Sequence, residues 1–243
     1  MPTVILLRHA RSTANGSGIL AGRTPGVALD EKGQVQAATL VGRLSSVPLA
    51  EIVRSPLQRC GETVAELAGE RGLQPVIEDR LAEVDYGDWS GRRIHELVKE
   101  PLWTVVQQHP SAAVFPGGEG LAAVQARAVA AVREHDARIG ETHGPRAVWL
   151  LCSHGDVIAS VLADALGQHL DSYQRLVVDP ASMSVIRYTQ TRPFVLRMND
   201  NGGDLSGIVP PEPPAETSED GAAEVTDTVP ADSDAVPGGT TGA

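Results

Sequence analysis

The chain has 243 residues and a formal net charge of −11, from 31 acidic and 20 basic side chains. Nine of the acids but no Lys or Arg fall in residues 201–243, so the preceding 200 residues carry 22 acids against 20 bases and are nearly neutral. No basic stripe, aromatic ladder or apolar run of about 20 residues occurs, which argues against a nucleic-acid partner and a membrane span.

Met1-Pro2-Thr3 leads directly into Val4-Ile5-Leu6-Leu7, with no basic and apolar leader. A short, wholly apolar run reads as a strand covered on both faces of a parallel sheet, and this one delivers Arg8 and His9 to its carboxyl end. Gly16 to Gly26 is a loop. A helix is expected from Asp30-Glu31 to Leu44, with Val35, Ala38, Val41 and Leu44 on one side. Glu51–Arg54 reads as a strand, and Ser55-Pro56 as the cap and first turn of a helix that runs to about Gly69. Pro75–Glu78 is a short strand, and Leu81–Gly91 a loop holding Glu83, Tyr86 and Trp89.

Short helices are expected at Ile94–Lys99 and Leu102–Gln108, a loop at Pro110–Gly120, and the longest helix at Leu121–Ile139. Ala147–Cys152 is a second apolar strand, ending in Ser153-His154-Gly155-Asp156 and followed by a helix over Val157–Leu166. Met183–Tyr188 and Phe194–Met198 form a closing pair of strands. Alternating strands and helices imply an α/β fold with a mostly parallel sheet. After Asn199 the composition turns to Pro, Gly, Ala, Thr and acid, too poor in apolar surface to offset ordering entropy. Residues 1–200 are therefore read as one domain and 201–243 as a disordered acidic tail. The two cysteines, Cys60 and Cys152, suit a reduced, cytoplasmic protein.

Two buried strands that each end in a histidine can converge on one ligand at the carboxyl edge of the sheet. Arg8, His9, Arg11, Ser12, Thr13 and Asn15 make a donor set suited to an anion with several oxygens, phosphate above all. Arg59, near a helix N-terminus, adds a bidentate fork. Glu83, beside two aromatics, is a carboxyl whose proton burial would retain. Other readings are weaker. Gly16-x-Gly18-x-x-Ala21 begins too late after its strand for a dinucleotide fingerprint, and Pro25-Gly26 interrupts the helix it needs. His95, His109, His135, His143 and His169 lack metal-ligand spacing and read as exposed. Gly-x-Ser-x-Gly is absent.

Arg8-His9-Ala10-Arg11-Ser12-Thr13-Ala14-Asn15, Ser55-Pro56-Leu57-Gln58-Arg59-Cys60-Gly61-Glu62-Thr63, Glu83 to Gly91 and Ser153-His154-Gly155 together resemble, in order, the four landmark motifs of the histidine phosphatase superfamily, the phosphoglycerate-mutase-like proteins. The resemblance spans nearly all of residues 3–198. It implies a three-layer α/β/α sandwich with a mostly parallel central sheet. It also implies that His9 is a nucleophile passing through phosphohistidine, and that Arg8, Arg59 and His154 hold the phosphoryl oxygens. By the same resemblance Asn15 adds a hydrogen bond, and Glu83 protonates the leaving alkoxide and then activates water. No metal or other cofactor is implied.

Two positions depart from the family pattern. Ala10 stands where glycine is usual, and Arg11 where an acid is frequent; Arg11 either adds positive potential or faces solvent. The short stretch from Arg92 to Glu119 is similar to the cap of the phosphatase branch rather than to the longer insertion of the mutases. The expected function is therefore metal-independent hydrolysis of small phosphomonoesters. The alternatives are a phosphoglycerate mutase or other phosphomutase, and a binding module with weakened catalysis. Substrate identity and oligomeric state are not legible at this level.

Overall fold

The computed structural model describes residues 2–203, so all but the first three residues of the predicted tail lie outside the described residues. Strands β1 (Thr3–Arg8), β2 (Leu49–Arg54), β3 (Val76–Ile77), β4 (Val148–Ser153), β5 (Met183–Arg187) and β6 (Phe194–Asp200) form one sheet in the order β3-β2-β4-β1-β5-β6. The pairs β3–β2, β2–β4 and β4–β1 are parallel; β1–β5 and β5–β6 are antiparallel. The mostly parallel sheet expected from the alternation is present. Its antiparallel edge is the predicted closing pair.

The apolar strands are explained by their alternation. Val4 and Leu6 of β1, with Val53, Trp149 and Leu151, pack on one face of the sheet; Ile5 and Leu7, with Ile52, Leu150 and Cys152, pack on the other. With both faces covered, neither register can be polar. The first face is covered by α6 (Leu121–His143) and α7 (Gly155–Ala165), through residues such as Val124, Val132, Ile158 and Leu162. The second is covered by α2 (Glu31–Arg43) and α3 (Gln58–Arg71), through Leu40, Val64 and Leu67. These layers make the three-layer sandwich. The remaining helices are short: α1 (Thr13–Gly16) follows β1, while α4 (Ile94–Leu97) and α5 (Pro101–Gln108) lie between β3 and α6. Among the described residues no helix is long and apolar enough to cross a membrane.

Several local expectations are corrected. In α2 the buried face is Gly33, Ala37 and Leu40, continued by Leu44; the expected Val41 and Leu44 do pack on the core, but Val35 is 67% exposed and Ala38 is exposed too. Helix α3 begins at Gln58, not Ser55, with Leu57 at its N-cap and no side-chain cap. Ser55 and Pro56 precede the helix, and the Ser55 hydroxyl is engaged elsewhere, as described below. Helix α6 runs one turn beyond Ile139, to His143. His135 is half-buried and bonds Glu78 at 3.0 Å, while His95, His109, His143 and His169 are exposed as expected.

One contact fixes the chain just past β1. Asp30 caps α2 by accepting from Gly33 N–H at 2.8 Å, and its own N–H donates to the Arg11 carbonyl at 3.1 Å. A Cβ at Gly33 would lie 1.9 Å from that carbonyl oxygen, so only glycine lets α2 approach the segment carrying His9.

Candidate active site

Arg8 is the last residue of β1 and Ser153 the last of β4, and the two are paired in the parallel register. His9 and His154 each stand one residue beyond. Their rings lie edge-on with centroids 5.2 Å apart, close to the spacing of adjacent strands. Arg59, the second residue of α3, reaches between them. Its Nε donates to His9 Nε2 at 3.2 Å, and its Nη2 to His154 Nδ1 at 3.1 Å and to the Gly22 carbonyl at 2.9 Å.

The backbone of Ala10 orients the nucleophile candidate. His9 Nδ1 donates to the Ala10 carbonyl at 2.8 Å, which leaves Nε2 as the lone pair facing Arg59. The Arg8 guanidinium is buried and anchored by Nη1 on the Val178 carbonyl at 2.7 Å. Glu83 Oε2 lies 3.9 Å from His154 Nδ1, and Oε1 accepts from Val84 N–H at 3.0 Å. Arg8, His9, Arg59, Glu83 and His154 are therefore brought together, each at most 3% exposed. Asn15 is placed differently. It is the third residue of α1, in a capping box where its Oδ1 accepts from Ser12 N–H at 3.0 Å and Ser12 Oγ at 2.7 Å. Its amide NH2 is not part of that box.

Burial and charge set the protonation states. Burial, then the guanidiniums of Arg59 and Arg8, push the His9 imidazole well below its usual range, so it is neutral. His154 is lowered in the same way by burial and then Arg59. Burial, followed by the charge of Asp156, pushes the Glu83 carboxyl up to about 7, against the opposing pull of Arg59. A neutral imidazole and a carboxyl that keeps its proton up to about pH 7, with two guanidiniums at hand, have the chemistry that attack on a phosphoryl group and protonation of its leaving oxygen would need.

Residues 4–201 match the family model described as histidine phosphatase superfamily (branch 1). The chain belongs to the histidine phosphatase superfamily. Phosphoserine phosphatase 1 of Hydrogenobacter thermophilus is 32% identical over 204 residues, covering 82% of this chain and 92% of that protein. A probable phosphoglycerate mutase of Enterobacter is 27% identical over 216 residues, covering 87% and 97%. Mycobacterial relatives that are 31% identical are longer, and the chain spans 54% of each. Among solved structures, mycobacterial glucosyl-3-phosphoglycerate phosphatase in complex with VO3 superposes with a TM-score of 0.74 at 25% identity, covering 82% of this chain and 99% of that one.

Both departures from the family pattern have a place in this histidine phosphatase. The Ala10 side chain packs with Leu29, Ala37 and Ala181, and its N–H donates to Thr63 Oγ1 at 2.9 Å. Its methyl therefore fills an apolar niche. Arg11 is half-buried and pairs with Asp30 at 3.3 Å, so it stabilises the cap of α2 instead of facing open solvent.

Sequence reasoning missed the groups that support the site. Thr63 Oγ1 donates to the Arg59 carbonyl at 2.6 Å, linking the cation to the Ala10 N–H; its spacing of four from Arg59 within a helix was a usable signal. Asp156, buried in the first turn of α7, accepts from Tyr86 Oη at 2.6 Å; an acid directly after the His154-Gly155 pair, ahead of a largely apolar helix, could have flagged it. The Glu83 carbonyl accepts from Arg23 Nε at 2.8 Å and Arg127 Nη2 at 3.2 Å, and both arginines bond Glu119 Oε1 at 2.7 Å. That clamp joins three distant segments and leaves no trace in local sequence. The cap is closed by Trp89 stacked on Trp103 and packed edge-on against Phe115.

Proposed function

We propose that this histidine phosphatase hydrolyses small phosphomonoesters through a phosphohistidine on Nε2 of His9. The observation that supports the reading is the Arg59 guanidinium bonded to both His9 Nε2 and His154 Nδ1, a fork suited to hold a phosphoryl group between the two rings. His9 Nε2 attacks phosphorus, the N–P bond forms and the P–O ester bond breaks. Arg8, Arg59 and His154 take the charge on the equatorial oxygens, and Glu83 gives its proton to the leaving alkoxide. The Glu83 carboxylate then accepts a proton from water as its oxygen attacks phosphorus, the N–P bond breaks, and phosphate leaves with both groups restored. Asn15 would contribute one further donor through its NH2.

The substrate is a small phosphorylated molecule, in keeping with the names of the phosphatase relatives. Two buried, unpaired thiols favour a reducing, cytoplasmic setting. The mutase alternative gains no support over hydrolysis from the short, aromatic-filled cap.

All charge stabilisation in this scheme comes from side chains. Hydrolysis of p-nitrophenyl phosphate is therefore expected to proceed unchanged in excess EDTA; loss of activity on chelation, restored by a divalent cation, would overturn the reading. Residues 204–243 are proposed to take no part in turnover of a small substrate. Asn199, Asn201 and Gly202 still bond Asp179 and Asp200, so the cut belongs after Gly203. Truncation there is expected to leave kcat and KM for a small substrate unchanged, which steady-state assay of the two lengths checks.

A further inference from the structure

His9 and His154 face one guanidinium, yet their outer nitrogens are held by different means. A guanidinium only donates, so the Arg59 Nη2 contact at 3.1 Å makes His154 Nδ1 an acceptor. A neutral imidazole then carries its proton on Nε2. That nitrogen lies 2.7 Å from the hydroxyl of Ser55, which is wholly buried and also accepts from Leu57 N–H at 3.3 Å. Cys60 Sγ also approaches Nε2, at 3.6 Å, but is a far weaker partner. His9 is oriented by the backbone of the residue next to it, a partner that any sequence supplies. His154 depends on a side chain 99 residues away.

We infer that Ser55 is the positioning residue of His154: its hydroxyl accepts the Nε2 proton, fixes the ring plane and turns Nδ1 toward the phosphoryl pocket. The inference rests on the proposed role of His154 in holding phosphoryl oxygens. It fits the start of α3, where Leu57 stands at the N-cap and no side chain caps the helix, so the Ser55 hydroxyl is left for the ring. It also specifies how His154 meets its ligand. With Nε2–H held by Ser55, a proton arriving at Nδ1, from the bulk or from a phosphomonoester monoanion, gives an imidazolium that donates to a phosphoryl oxygen while keeping its anchor. The charged or titratable groups facing the ring are Arg59 and Cys60 from α3, Glu83 from the loop after β3, Arg8 and His9 at the end of β1, and Arg127 from α6. Ser55 is the neutral acceptor among these neighbours.

The test uses full-length protein labelled with 15N-histidine. In the wild type without ligand, long-range 1H–15N spectra are expected to show His154 neutral with the proton on Nε2. Titration with inorganic phosphate or vanadate is expected to move the Nδ1 signal toward the protonated range. A wild-type ring carrying its proton on Nδ1 would overturn the inference and leave the His9 mechanism standing. In Ser55→Ala the tautomers should mix, and kcat should fall about ten- to a hundredfold, by analogy with the outer partners of metal-ligating histidines. KM should change less, because Arg8 and Arg59 still bind the phosphoryl group. Ser55→Cys, which keeps an acceptor, should recover part of kcat. An alanine variant with a single unchanged tautomer and kcat within about twofold of wild type would refute the assignment. The wild-type spectra decide the tautomer even if the alanine variant does not fold.

Discussion

Replacing His9 with alanine is expected to abolish phosphomonoester turnover, by at least about a thousandfold in kcat, because nucleophiles that act as part of a unit are not replaced by their neighbours. The other ring in the cage, His154, has its Nδ1 committed to Arg59 and its Nε2 to Ser55. Both cysteines are buried; burial raises the Cys152 thiol well above its usual range, which denies it thiolate character. No second attacking atom is presented to phosphorus by these groups. Steady-state kinetics, together with rapid-quench labelling, checks the point: the wild type should yield an acid-labile, base-stable phosphoenzyme and His9→Ala none. The variant should still bind inorganic phosphate through Arg8 and Arg59, which separates lost chemistry from lost binding. A variant that keeps even a tenth of wild-type turnover would sink the phosphohistidine mechanism.

The second large effect is expected from Glu83→Gln. The Glu83 carboxyl, raised to about 7 by burial and by Asp156, is protonated below that pH and ionised above it. As a general acid it needs the proton, so kcat/KM of the wild type should fall as pH rises through about 7. His9, lowered well below 6.5, stays neutral as pH falls from 7 toward 6 and imposes no loss there. Glutamine cannot release a proton, so the variant should lose about a hundred- to ten-thousandfold on an alkyl phosphate and lose the alkaline limb with it. The defect should shrink for p-nitrophenyl phosphate, whose leaving group needs little protonation. Equal losses on both substrates, or an unshifted limb, would show that Glu83 does not protonate the leaving oxygen. The same shift has a sign for stability: the native state holds the Glu83 proton more tightly than the unfolded chain, so this group favours folding at low pH and its contribution is lost as pH rises from about 4.5 to 7.

Much of this arrangement was legible in the sequence, for identifiable reasons. Val4–Leu7 and Val148–Cys152 are apolar at every position because both faces of the sheet are covered, and a run without alternation announces that. Each ends abruptly in charge, which marks the carboxyl edge. Arg59 and Glu83 were legible through their motifs. Positions settled by tertiary contact were not. The first half of the buried face of α2 was misread because Val35 and Ala38 lie exposed while Gly33 and Ala37 are buried. Ser55 was assigned to a helix cap on local preference, and a histidine 99 residues away outcompeted that use. The grip of Arg23, Arg127 and Glu119 on Glu83 spans three loops and helices and has no local signature.

The in-register pairing of β1 with β4 has an evolutionary consequence. The separation of the two imidazoles is inherited from main-chain hydrogen bonding between neighbouring strands, so it survives changes of side chain in either layer of the core. Replacements between positions 92 and 112, which lie outside the sheet and outside the Tyr86 and Glu119 contacts that support Glu83, are expected to leave that spacing undisturbed. A scaffold of that kind allows substrate choice to drift while the chemistry stays fixed.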